Sequence, residues 1–218
     1  MKKVLFIAYQ YPPKGGPGVH RSLNFSKYLL DYGYKPYVFT IKEEDIIRAK
    51  TKMDNGLLAQ VPSEVEVIRV PSHEPLGFIE MMVKLRLFRL FWVFLYPLFW
   101  EYSALWPFYS YKKAKEIIEK EDIKLVYTSS GPFAPMILGY LLQKRLKMKW
   151  VADLRDPFTD AYAWQFPTKF HWYLARLFEK WIFSKPDKLI VNTPEVEKLY
   201  LKRKIISPDK ITHIVNGF

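Results

Sequence analysis

Short apolar runs alternate with longer segments of helical spacing along almost the whole chain. Val4-Leu5-Phe6-Ile7-Ala8-Tyr9 is a continuous apolar run without helical periodicity, the pattern of a buried parallel strand. It stops at Tyr11–Gly18, where three prolines and three glycines exclude regular structure. Val19, Leu23, Ser26 and Leu30 then recur at helical spacing. Gly33 stands where a left-handed helix end belongs, and Pro36 follows it. Pro36–Ile41 resumes an apolar strand, and the charged stretch from Ile41 to Pro62 predicts a loop with a short helix. Val65–Val70 alternates and predicts a third strand.

The second half repeats the alternation. Lys112–Glu121 predicts a helix with Ala114, Ile117 and Ile118 on one face, and Lys124–Thr128 predicts a strand. The loop Ser129-Ser130-Gly131-Pro132 leads into a helix from Phe133 to Leu146. Trp150–Leu154 is a strand ending in Arg155-Asp156-Pro157-Phe158. Phe170, Leu174, Leu177, Phe178 and Trp181 form the i, i+4, i+7, i+8, i+11 stripe of an amphipathic helix. Leu189–Asn192 is a strand, Thr193 an N-cap, and Pro194 the first residue of a helix running to Lys204. Ile211–Val215 is the last strand.

Strands alternating with helices predict an α/β fold: a Rossmann-like open, mostly parallel sheet with helices on both faces. Such sheets bind ligands beyond the carboxyl ends of their strands. The polar and glycine clusters fall there: Gly15-Gly16, Ser129-Ser130-Gly131, Arg155-Asp156 and Asn216-Gly217. A glycine loop between a strand end and a helix start suits an anion, because its amides and the helix dipole favour negative charge. A phosphate-bearing ligand is therefore expected, with a tight turn that binds nothing as the alternative. Arg21 stands where a dinucleotide fingerprint needs its third glycine, and no acid closes the second strand at Thr40, which argues against a nicotinamide cofactor. The Gly-Lys-Ser/Thr of a Walker A loop is also missing.

Composition narrows the picture. The 218 residues, half of them hydrophobic, are enough for a full globular core. A net charge of +12 and a pI of 9.6 suggest an anionic partner: a lipid surface, a nucleic acid or a phosphorylated ligand. With no cysteine, disulfides and thiolate metal sites are excluded, and the four histidines are scattered without ligand spacing. The apolar run after Met1-Lys2-Lys3 is too short for a signal peptide and is read as the first strand of a cytoplasmic protein. Nucleic acid is not an expected partner, because no motif is present and the aromatics are clustered rather than interleaved with basic residues.

That clustering is pronounced. Leu87–Tyr111 holds Trp92, Trp100, Trp106, five phenylalanines and four tyrosines, and Leu90–Trp100 is free of charge. Pro97 and Pro107 interrupt it, so it is not a membrane span. Lys84, Arg86 and Arg89 precede the run, and Lys112, Lys113 and Lys115 follow it. Trp92, Trp100, Lys112 and Lys113 are candidates for insertion at an anionic membrane interface, with internal packing as the alternative.

Several motifs in order resemble the N-terminal, acceptor-side domain of a family 4-type glycosyltransferase with the GT-B fold. They are Tyr11-Pro12-Pro13 with Gly15-Gly16, Gly18 and Arg21; Tyr127-Thr128-Ser129-Ser130-Gly131-Pro132; Trp150-Val151-Ala152-Asp153-Leu154-Arg155-Asp156-Pro157; and Asn216-Gly217-Phe218. The resemblance covers residues 1–218 apart from an aromatic insertion at 76–108. It implies a two-domain enzyme whose C-terminal, donor-binding domain is not in this sequence, and hence an isolated chain without activity. The implied reaction is retaining, metal-independent hexosyl transfer from a nucleotide sugar to a lipid-linked or other saccharide acceptor, in cell-surface polysaccharide or glycolipid synthesis, with no further cofactor. The implied place is the inner face of the plasma membrane. A stand-alone nucleotide- or phosphate-binding module is the alternative.

The resemblance also implies residue roles. Gly15 and Gly16 allow close approach of a phosphate, and Arg21 either pairs with it or is a solvated helix charge. Asp156 and Arg155 occupy the loop that contacts the transferred sugar or acceptor hydroxyl; many relatives carry a histidine near it. The alternative is an internal Arg155–Asp156 pair bracing the loop. Ser129 and Ser130 either orient acceptor hydroxyls or cap the next helix, and Asn216 either contacts donor or forms a turn.

Overall fold

The computed structural model describes residues 1–88, 93, 101–160 and 166–216. In chain order its elements are β1 (Lys2–Ala8), α1 (Pro17–Asp31), β2 (Tyr34–Ile41), α2 (Glu43–Arg48), α3 (Asn55–Leu58), β3 (Glu66–Val70) and α4 (Leu76–Lys84). They continue with α5 (Trp106–Glu121), β4 (Leu125–Ser129), α6 (Ala134–Leu146), β5 (Lys149–Leu154), α7 (Lys169–Phe183), β6 (Lys188–Val191), α8 (Pro194–Lys202) and β7 (Ile211–His213). The seven strands form one sheet in the order β3-β2-β1-β4-β5-β6-β7, and every pairing is parallel.

The continuous apolar runs follow from burial on both faces. Along β1, Leu5 and Ile7 join the core beneath α5 to α8, while Val4, Phe6 and Ala8 join the core beneath α1. β2 divides in the same way, with Tyr37, Phe39 and Ile41 on one side and Val38 on the other. The caps match the sequence reading. Thr193 Oγ1 accepts from Val196 N at 3.2 Å to start α8, and Gly33 after α1 takes φ +77°.

Two elements depart from expectation. α5 begins at Trp106, six residues before Lys112, with Pro107 in its first turn. Trp106 is fully buried, with its ring edge-on to Tyr9 at 5.2 Å and tilted against Phe39 at 5.8 Å. Trp106 is therefore core, while Phe108 and Tyr109 beside it are exposed. Lys112 and Lys113 lie exposed on α5, whereas Trp92 and Trp100 fall outside the described residues. In α7 the helix is where its stripe placed it, but the face turned to the core is His171, Ala175, Glu179, Ile182 and Phe183. Phe170, Leu177 and Trp181 point outward. Among the described residues no helix is long and apolar enough to cross a membrane.

α6 has no capping side chain of its own. Glu101 substitutes: its carboxylate accepts from Phe133 N at 2.9 Å, Ala134 N at 2.6 Å and Ser103 Oγ at 3.0 Å. Burial nevertheless dominates and pushes its carboxyl from 4.5 up to about 7. The folded state then holds a proton that the unfolded chain releases, so this group's contribution to stability declines as pH rises from 4.5 to about 7. Thermal melts between pH 4.5 and 8 should show that decline in the wild type and a flatter profile in Glu101→Gln. Equal slopes would remove Glu101 as the source.

Gly139 on α6 rests against β4 and β5. A Cβ there would stand 2.6 Å from Trp150 Nε1 and 2.7 Å from Thr128 Cγ2, two groups fixed by the 2.8 Å bond from Trp150 Nε1 to Thr128 Oγ1. Gly139→Ala should lower stability by about 1–3 kcal/mol despite alanine's better helix propensity, read as a lower urea midpoint.

Candidate active site

Strand order reverses between β1 and β4, so the loops after β1, β4 and β5 meet at one end of the sheet. Register sets Ala8, Ser129 and Asp153 side by side at that end. Asp153 is the centre of the cluster, at 0% exposure. Arg21 donates to it twice, from Nε to Oδ2 at 2.9 Å and from Nη2 to Oδ1 at 2.6 Å. The remaining nitrogen, Nη1, donates to Ile214 O and Asn216 Oδ1, each at 2.9 Å. The 7% exposed Arg21 is thus neither a solvated helix charge nor a side chain offered to a ligand. It ties the start of α1 to β5 and to the chain after β7. Asn216 is exposed apart from this contact.

Arg155 makes a second tie. Its Nη1 donates to Gly18 O, and its Nη2 donates to Ser22 Oγ at 2.6 Å and Ser129 Oγ at 3.0 Å. Its backbone N–H donates to Ser130 Oγ at 2.8 Å, so both Ser129 and Ser130 are internal braces, and neither caps α6. A Cβ on Gly18 would lie 3.1 Å from Arg155 Nη1 and 1.8 Å from Gln10 Oε1, so any larger residue there would have to displace the Gln10 side chain and crowd Arg155. Arg155 has no carboxylate within ion-pair distance among the described residues, and its Nε is buried without a partner. Burial lowers its pKa, with the Asp153 charge opposing.

Asp156 differs from its neighbours. Arg155 turns toward α1, so the alternative of an internal Arg155–Asp156 pair does not form. The exposed Asp156 carboxylate has no hydrogen bond or ion pair among the described residues. The residues just after it, Thr159 and Asp160, are nevertheless held in place. Glu179, only 1% exposed, accepts from Thr159 N at 3.2 Å, Thr159 Oγ1 at 2.8 Å and Tyr200 OH at 2.8 Å. Arg203 grips Asp160 through two 2.6 Å bonds.

The loop after β1 borders this cluster. Gly15 N donates to Lys52 O at 2.8 Å, and Asp54 N donates to Pro13 O at 2.7 Å, which holds the loop against the chain before α3. The Gly15 amide is therefore committed internally. Gly16, exposed at φ +109°, starts α1 with no side-chain cap, and Pro17 follows in the first turn. Beside the loop, Lys14 Nζ lies 5.7 Å from the Tyr9 ring centre, and the Tyr9 hydroxyl donates to Glu74. Burial lowers the Lys14 pKa, and the Glu74 charge opposes.

The structure thus brings Arg21, Ser129, Ser130, Arg155, Asp156 and Asn216 to one strand-end cluster, with Gly15 and Gly16 on the adjoining loop. Lys112 and Lys113 lie apart from it, on α5. Sequence reasoning missed Asp153, Glu179 and Lys14 as members. A signal existed for the first two: a carboxylate inside an apolar strand, and a glutamate at i+4 and i−3 from Ala175 and Ile182, both demand buried partners.

Comparison with known proteins agrees with this architecture. The fold resembles a sucrose-phosphate synthase from Thermosynechococcus elongatus (TM-score 0.60, 16% identity, 100% of this chain and 49% of that one). It also resembles a glycosyltransferase from Rickettsia africae (0.56, 19%, 99% and 43%). A UDP-N-acetylglucosamine 2-epimerase candidate from Listeria monocytogenes has a similar fold (0.56, 12%, 96% and 44%). The chain therefore spans less than half the length of each of these structures. No curated protein sequence matches it significantly. The family model described as Glycosyltransferase Family 4 matches residues 18–218. With its all-parallel Rossmann-like sheet and GT-B glycosyltransferase structural neighbours, the chain belongs to glycosyltransferase family 4.

Proposed function

We propose that this chain is the acceptor-side half of a longer enzyme that moves a sugar from a nucleotide-sugar donor to a lipid-linked or other saccharide acceptor, retaining the anomeric configuration without a metal ion. Cell-surface polysaccharide or glycolipid synthesis is the proposed setting. Asp156 carries the reading. Around it Asp153, Glu179 and Asp160 are all paired internally, while among the described residues this carboxylate has no partner and stands close to Thr159 and Asp160, which Glu179 and Arg203 hold in place. Such an acceptor group at a strand end suits an incoming sugar hydroxyl, which it orients by accepting a hydrogen bond.

The other groups have supporting roles. Gly16 and the uncapped start of α1 offer backbone N–H groups and a helix dipole to a donor phosphate. Arg155 fixes the distance between that helix start and the Asp156 loop through Gly18 and Ser22, and adds a buried positive charge. Arg155 is thus a positioning residue. A stand-alone phosphate-binding module would use the helix start equally well, but would have no use for such a carboxylate.

In the full-length enzyme, Asp156→Asn should lower kcat on the order of a hundredfold or more while leaving the melting temperature nearly unchanged. Activity that persists while stability falls would assign Asp156 to loop bracing instead. The 218-residue chain alone should show no turnover with any nucleotide sugar. Detectable transfer by it would sink the half-enzyme reading and leave the family assignment standing.

A further inference from the structure

The unexpected face of α7 points to a partner. Phe170, Trp172 and Tyr173 are 63%, 43% and 57% exposed, and Leu177 and Trp181 continue the surface one and two turns on. Monomeric proteins seldom leave so many large apolar side chains together on one helix. The helix has a single acid, Glu179, and that group is turned into the core. Its water-facing side therefore carries Lys169 and Lys180 with no carboxylate among them, while the half-buried Arg176 is paired with Asp160 at 3.6 Å and Glu179 at 3.9 Å. Arg176 lies over the Trp172 ring, 5.3 Å from its centre.

We infer that α7 seats the domain on an anionic lipid bilayer. Aromatic rings with a polar edge, interleaved with basic side chains whose stems can lie along apolar surface, are the composition of a helix lying in a membrane interface. Charge complementarity chooses this occupant. The exposed Lys169 and Lys180, which have no ion pair among the described residues, on a chain of net charge +12, match a lipid surface better than an ordinary mixed-charge protein surface.

Topology gives the same direction. α7 returns from the end of β5, so its first turn stands at the active-site end of the sheet. α4 leaves the end of β3 at that same end and buries none of its residues; Phe78, Met81 and Val83 are all exposed on it. Phe108 and Tyr109 open outward at the start of α5. The strand-end cluster is thus rimmed by apolar side chains, which would place Asp156 within reach of an acceptor anchored in lipid. This purpose rests on the proposed function, whereas the docking itself rests only on the surface.

The purified chain, without donor or acceptor, should co-sediment with phosphatidylcholine vesicles containing phosphatidylglycerol, and more weakly with phosphatidylcholine alone. Because the chain has no cysteine, single Tyr173→Cys and Tyr28→Cys variants can carry a polarity-sensitive dye. Tyr28 is exposed on α1, on the opposite face of the sheet. The dye at position 173 should shift to the blue on anionic vesicles, and the dye at position 28 should not. Lys169→Glu/Lys180→Glu should lower the vesicle partition coefficient by roughly thirtyfold or more at low salt. Phe170→Glu/Tyr173→Glu should abolish binding at any salt, with circular dichroism and melting temperature unchanged. Wild-type protein left in the supernatant at low salt would overturn the inference. So would binding that survives Phe170→Glu/Tyr173→Glu, or self-association in place of vesicle binding that the same change abolishes. Neither of these results bears on Asp156, and inactivity of Asp156→Asn bears on neither.

Discussion

Arg21 and Asp153 meet where water does not reach, and the arrangement of the whole strand end follows from how their charges are satisfied. Removing an ion pair from water costs several kcal/mol per ion, which is offset only by close geometry and by partners for every remaining donor. Here the guanidinium fork sits on both carboxylate oxygens, and its third nitrogen finds Ile214 O and Asn216 Oδ1. A lysine carries its three donors on one nitrogen and has no planar fork, so it cannot span the carboxylate and the two oxygens that Arg21 reaches from three nitrogens. Taking away either partner would strand a buried charge at a cost of about 3–5 kcal/mol. The start of α1, the end of β5 and the chain after β7 consequently behave as one unit. Arg155 repeats the design with neutral acceptors, joining the same helix start to β4 and β5.

Much of the fold was legible because burial on two faces leaves a signature that polar contacts do not. Val4–Ala8 and Trp150–Leu154 read as strands for that reason, and Thr193-Pro194 marked a helix start by local chemistry alone. The beginning of α5 was obscured because Trp106-Pro107 continues an aromatic run, and only its packing on Tyr9 and Phe39 makes it a core element. The face of α7 was not decidable from periodicity. The helix has two apolar sides, Phe170-Leu177-Trp181 and Ala175-Ile182-Phe183, and contact with the sheet selects one of them.

The site was legible in position and not in role. Glycines, serines and charges after strand ends mark where ligands bind in open α/β sheets, and Arg21, Ser129, Ser130, Arg155 and Asp156 do gather there. Their partners are separated along the chain by 132 residues in Arg21–Asp153 and by 20 in Thr159–Glu179, distances that no local pattern encodes. Hence Arg21, which sequence reads as a phosphate ligand or a solvated helix charge, is an internal brace, while Asp156, adjacent to an arginine, has no partner among the described residues.

A shared sheet does not settle chemistry, since a sucrose-phosphate synthase and an epimerase candidate both resemble this one. The distinguishing feature is which polar groups remain available once the fold has satisfied itself. Under the proposed function, the acceptor side offers a carboxylate, Asp156. The phosphate side offers backbone N–H groups and a helix dipole, because Arg21 is neutralised by Asp153 and the Arg155 donors are turned inward. A dipole at a helix start contributes about 0.3–1 kcal/mol per negative charge near the surface, far less than a guanidinium clamp on a diphosphate. Under the proposed function, tight donor binding therefore draws on cations beyond the helix start, of which Lys14 beside the glycine loop is one. Under that proposal the division of labour follows from the pairing: this half sets the geometry of the acceptor and of one phosphate edge, and most of the energy for holding the donor comes from the other half of the enzyme.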